Sequence, residues 1–366
     1  ASFAIPYVSD PGFSFSGGRV EIVSLSPFVT KVNTNTGAPL NSSYQAPYNN
    51  LGIPGAFTYD ILNASSASNC FTAINANLPN PLFDLVLRGQ GNQFQQAKAL
   101  SPTFVTLWIG SNDVLYYEIT GGQFPITPVT AFSPLFNQIC DSLALLGAKV
   151  AVANIAMEIA SPFLETVTGQ LLQQGVTQLW AVKGSGDTSV IDLRTGNFVL
   201  LSASSLLTNS NGTPTGIGTS KQNPLPNSAV LDFDEYTNIV TAVNAYNVII
   251  AAAASNRGFA LVDIASLYHN IKLSEATGGT TIDGVTFTTR FVNGGLISLD
   301  GFHPTAQGYA VIANEFIKTI NQKWGVNIEM INVSTIPGSL KFDKNLDKSG
   351  TGIPYMINGK ITPFIF

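Results

Sequence analysis

The sequence predicts an α/β protein: three layers, α/β/α, around a mostly parallel sheet. Two observations predict it. Strand-like and helix-like segments alternate along the chain from Thr103 onward, the order that builds a parallel sheet wrapped by helices. The strand-like segments there are short and almost wholly apolar, as strands covered on both faces are.

Taken in order, residues 1–50 are rich in Ser, Pro, Asn and Thr, with β-like pieces such as the run from Arg19 to Leu25. The stretch Asn49 to Gly55 reads as a loop that turns into a short helix after Ala56. A helix is predicted over Gln93 to Ala99. A strand follows over Thr103 to Ile109, rich in β-branched and aromatic residues and bounded by Pro102 and Gly110. Phe132 to Leu146 has apolar residues at helical spacing and ends at Gly147, a helix-stop position. Lys149 to Ile155 is the next strand. Residues 158–235 break the rhythm and read as an insertion, a cap or β-hairpin region with a hairpin-like run from Val190 to Leu200. A long helix over Phe233 to Asn256 and a strand over Phe259 to Asp263 follow, then a hairpin or cap over residues 277–295. The last helix runs from His303 to Trp324 with Ala306, Tyr309, Ala310, Ile312, Ala313, Phe316, Ile317 and Ile320 on its apolar side and Pro304 in its first turn. Residues 1–330 are expected to form one domain and 331–366 an extension or edge strand.

Composition narrows the function. Apolar residues make up 45% of the 366, enough for a sizeable core, while charged residues make up only 11%. Solubility must come from Asn, Ser, Thr, Gly and Gln, a profile that suits a secreted, periplasmic or cell-surface protein. A net charge of −5 with scattered Lys and Arg argues against a nucleic-acid partner, because no basic stripe exists to neutralise phosphates. The most apolar run, Val248 to Ala254, is shorter than the roughly 20 residues a bilayer requires. Cys70 and Cys140 are too few for a disulfide framework and leave one disulfide open.

Three short stretches carry candidate chemistry. His303, one of only two histidines, follows Asp300 on a turn ahead of the closing helix. A carboxylate three residues back can hold the imidazole Nδ1–H, fix its tautomer and stabilise the imidazolium formed during nucleophilic attack. Asn112 lies at the end of the strand Thr103 to Ile109, in Gly110-Ser-Asn-Asp, where a side-chain amide can be aimed at a developing oxyanion, an interaction that lowers a barrier by roughly 3–4 kcal/mol. Gly55 ends Asn50-Leu-Gly-Ile-Pro-Gly, where the absence of a Cβ lets a backbone N–H approach a ligand. Each stretch alone is as well explained by a plain turn or a helix cap.

In this order and spacing the three resemble the blocks of the SGNH (GDSL-like) hydrolase family, most closely its secreted or lipoprotein bacterial members. The resemblance runs from about residue 46 to 325 and implies a flavodoxin-like fold. It implies a serine ester hydrolase (esterase, lipase or acylhydrolase) with His303 as general base and acid, Asp300 as its orienter, and the Gly55 N–H and Asn112 as oxyanion donors. It also implies no cofactor and no metal, and small esters, acylated glycans or lipids as substrates. The family's serine block has no clear counterpart: no Gly-Asp-Ser-Leu or Gly-Asn-Ser-Leu occurs. The best imitation, Gly12 to Gly18, offers Ser14 about forty residues before Gly55, but Pro6 and Pro11 spoil the preceding run as a central strand. Ser9 and Ser16 are weaker candidates. Losing a central strand would forfeit on the order of 10 kcal/mol, comparable with a domain's whole stability. The expectation is therefore an upstream segment or partner chain that carries the serine and completes the sheet, or a different N-terminal arrangement filling the slot. Two other readings stand beside this one: a catalytically inactive SGNH-fold binding or surface-assembly module, and an unrelated β-rich adhesin, which would need a mainly antiparallel sheet.

Overall fold

The computed structural model describes residues 3–13, 18–25, 28–156, 161–208 and 214–338. At its centre lies a parallel sheet, three strands among the described residues, in the spatial order Phe104–Leu107, Lys149–Ala153, Ala260–Val262. Phe104 pairs with Lys149 and Leu107 with Val152; Ala151 pairs with Ala260 and Ala153 with Val262. The middle strand shows why the fold has three layers. Successive side chains of a strand point to opposite faces, and Val150 and Val152 enter one hydrophobic cluster while Ala151 and Ala153 enter another. The first cluster takes in the helices Val129–Ala144 and Phe233–Asn256, through residues such as Phe132, Phe136, Ile239 and Tyr246. The second takes in Ile264–Ser274 and Ala306–Trp324, through Tyr268, Ile271, Val311 and Ile312. The α/β architecture is the one the alternation predicts, and its parallel pairing excludes the antiparallel adhesin.

Two helices, Gln93–Ala99 and Phe233–Asn256, lie where the sequence placed them. The latter is long and apolar enough to cross a membrane by length and composition, the one such helix among the described residues. Eight of its residues, Glu235 and Tyr246 among them, are buried. Its start is fixed by a capping box: the Asp232 carboxylate accepts the N–H groups of Asp234 and Glu235, and Glu235 accepts the Asp232 N–H.

Other elements differ from expectation. The helix predicted over Phe132 to Leu146 spans Val129–Ala144. The insertion packs into the body of the domain, where Phe163, Leu179, Ile191, Val199 and Leu201 belong to the main hydrophobic cluster. Its hairpin is also displaced. Thr188–Asp192 pairs with Gln178–Val182, and Phe198–Val199 turns away to pair with Val230–Leu231. The turn at Thr195 and Gly196 is present, but it parts two strands that find different partners. Finally, the last helix starts at Ala306 with Thr305 as its cap, Oγ1 accepting the Gly308 N–H, so Pro304 lies just outside it. Val311, not Tyr309, belongs to its buried side. Cys70 and Cys140 are both buried free thiols in separate clusters. Beyond residue 338 the expected C-terminal extension lies outside the described residues, as does Ser14.

Candidate active site

The carboxyl ends of parallel strands are where an open α/β sheet holds its ligands, and of two pairs of predicted residues one includes a side chain, Asn112, just past the carboxyl end of Phe104–Leu107. The first pair is Asp300 and His303. Asp300 Oδ2 lies 2.7 Å from His303 Nδ1. Its other oxygen, Oδ1, accepts the backbone N–H groups of Phe302 and His303 at 2.9 Å each and the Ser298 hydroxyl at 2.8 Å. A carboxylate folded back onto its own turn in this way sets both the turn and the ring. Burial opposes the charge on Asp300, but His303 and these hydrogen bonds outweigh it and hold the carboxyl below its ordinary value. It is the ionised partner an imidazolium needs. The His303 side chain remains one-third exposed, so its far edge can meet a substrate. The other histidine, His269, lies on an exposed face of the helix Ile264–Ser274.

The second pair is the Gly55 loop and Asn112. Asn112 Nδ2 donates to the Ala56 carbonyl at 2.8 Å, which leaves its second N–H for another acceptor. Gly55 is buried with φ +77°, a conformation that favours glycine. Among the described residues its N–H has no hydrogen-bond acceptor. Gly110, which opens the strand-to-helix turn, has φ +112°, and a Cβ there would stand 2.8 Å from Ile155 Cδ1 and 3.1 Å from Phe132. The turn that presents Asn112 therefore has no room for a side chain at that point.

Residues that sequence reasoning did not single out hold these pairs. Asp113, next to Asn112 on the same turn, accepts the Thr58 N–H at 2.9 Å and the Thr58 hydroxyl at 2.8 Å. Asp60 accepts the N–H groups of Phe57 and Phe71 at 2.8 and 2.7 Å. Burial pushes Asp60 up to about 7 and Asp113 up to about 6. On the histidine side, Ser161 Oγ donates to the Gly301 carbonyl at 3.0 Å and accepts the Phe163 N–H at 3.1 Å, and Phe163 packs on Phe302 with ring centroids 4.3 Å apart. Ser161-Pro162 is a recognisable helix start, and that signal could have placed a helix within the insertion. Nothing in the sequence shows that it would rest on the histidine turn. Among the described residues no group of three or more His, Cys, Asp or Glu could hold a metal ion.

A three-layer α/β domain with a carboxylate-paired histidine after its last strand falls in the class of hydrolases built on open parallel sheets. The chain belongs, more narrowly, to the GDSL-like lipase/acylhydrolase family, whose family model matches residues 14–316. No curated protein and no solved structure matches it.

Proposed function

We propose that this hydrolase cleaves carboxylic esters by attack of a serine hydroxyl, with His303 and Asp300 activating it and the Gly55 N–H and Asn112 amide receiving the oxyanion. The observation that carries the reading is the 2.7 Å Asp300–His303 pair, whose carboxylate is held ionised despite its burial. The serine proton passes to His303 Nε2 as the hydroxyl oxygen bonds to the ester carbon. The carbonyl oxygen takes up negative charge, and the same proton then leaves with the alcohol. In the second half, water replaces the alcohol and the acyl group departs as an acid. A small ester, an acylated glycan or a lipid fits this chemistry, and the steps require neither metal nor cofactor. We place the protein outside the cytosol, in a secreted, periplasmic or surface setting, on the support of its charge-poor composition.

Turnover of short-chain p-nitrophenyl esters, together with fluorophosphonate labelling and mass-spectrometric mapping, tests the proposal. Turnover and a single labelled serine are expected. His303→Ala should lower kcat about 10⁴-fold or more and Asn112→Ala about 10²–10³-fold. The label also names the nucleophile. Ser14 is the candidate within the sequence, and a label on a serine outside residues 1–366 assigns the role to another segment or chain. A protein inert to both ester and probe would instead support the inactive SGNH-fold module.

A further inference from the structure

We propose that Asp113 is a positioning residue, which acts through Thr58 to hold the Gly55 loop in register with the Asn112 amide. The proposal rests on the ester-hydrolase reading above and deepens it. Asn112 and Asp113 are adjacent on one strand-to-helix turn, and they grip Ala56 and Thr58, two residues apart on the glycine loop. Three hydrogen bonds make that grip: Asn112 Nδ2 to the Ala56 carbonyl at 2.8 Å, and the Thr58 N–H and hydroxyl to Asp113 Oδ2 at 2.9 and 2.8 Å. Asp60 secures the residue between by accepting the Phe57 N–H. Asp113 and Thr58 are 2% and 1% exposed, so neither bond is loosened by water.

The arrangement sorts the donors of the loop. The N–H groups of Phe57 and Thr58 are tied up by carboxylates, whereas the Gly55 N–H and one Asn112 N–H remain for a ligand. An oxyanion hole gains its effect from donors fixed before the charge develops. Two donors on segments more than fifty residues apart in sequence stay in register only if something ties the segments together. Holding a buried carboxylate is costly unless it is well hydrogen-bonded. Burial pushes Asp113 up to about 6, a strain that tends to collect at functional sites.

The test compares Asp113→Ala, Asp113→Asn and Thr58→Val with wild type in the active protein, at a temperature where circular dichroism shows each folded. Kinetics are read on a p-nitrophenyl ester, and amide hydrogen exchange is read over residues 55–58. Asp113→Ala should lower kcat about 100-fold, the scale of a 1 Å misplacement, with KM nearly unchanged and protection at Thr58 lost. Asp113→Asn keeps an acceptor oxygen and should recover most of kcat. Thr58→Val keeps the N–H and should fall between the two. An Asp113→Ala protein with lowered Tm but undiminished kcat overturns the proposal, as does a change confined to KM or an Asp113→Asn loss as deep as that of alanine. If Asp113→Ala does not fold, undiminished kcat in Thr58→Val overturns it. An active wild type with any of these results sinks the positioning role alone; a wild type inert to ester and probe sinks the hydrolase reading with it.

Discussion

At the scale of single residues, three carboxylates near the site, Asp60 and Asp113 buried and Asp300 partly so, behave in opposite ways, and the difference is what their neighbours offer. Asp300 has an imidazole and several donors around it and is held below its ordinary value despite burial. Asp60 and Asp113 have hydrogen bonds too, but desolvation prevails and raises them from an ordinary 3.8 to about 7 and about 6. The sign of the stability effect follows. For Asp60 and Asp113 the native state binds more protons than the unfolded chain between 3.8 and those values, so their contribution to stability falls as pH rises through that window. Asp300 does the reverse: its contribution is present above its unfolded value and is lost as pH falls through its folded one. Urea midpoints between pH 4 and 7.5 check this. Asp60→Asn and Asp113→Asn should each give a less negative slope of stability with pH than wild type, and equal slopes would contradict the assignment. Asp300→Asn, which leaves the ring without its ionised partner, should lower kcat about 10²–10⁴-fold while kcat/KM falls in parallel.

At the scale of elements, the insertion supports the turn that carries His303. Ser161 caps the helix Pro162–Gln173 and bonds the carbonyl of Gly301, which lies between Asp300 and Phe302. Ser161→Ala removes a buried donor and a helix cap together and should cost about 1–2 kcal/mol, measured by urea denaturation, with kcat reduced several-fold. A stability loss with kcat intact would mean that the insertion braces the fold but not the turn. What was legible in the sequence follows the same physics. The helices Gln93–Ala99 and Phe233–Asn256 could be placed from the sequence because helix signals are local, and the Asn92 and Asp232 capping boxes fix where they start. The Asp300–His303 and Gly110–Asn112 turns were legible for the same reason. The partners of Val190–Leu200 were not, since strand pairing is decided by distant residues. The role of Asp113 was not legible either, because its partner, Thr58, is 55 residues away.

At the scale of the whole molecule, the two site pairs are carried by segments that the core locks in place. Leu107 and the valines of Lys149–Ala153 belong to the cluster that also holds Phe163 and Leu201 of the insertion. The turn bearing Asn112 and the support of the turn bearing His303 thus share one packed body. The account's central claim is that both pairs act on one ester carbonyl. A crystal structure of the phosphonylated protein tests it most directly. The account predicts the phosphoryl oxygen within about 3 Å of the Gly55 nitrogen and Asn112 Nδ2, with His303 Nε2 facing the leaving-group oxygen. A phosphoryl oxygen held by other donors, with His303 on a different face of the molecule, would contradict it.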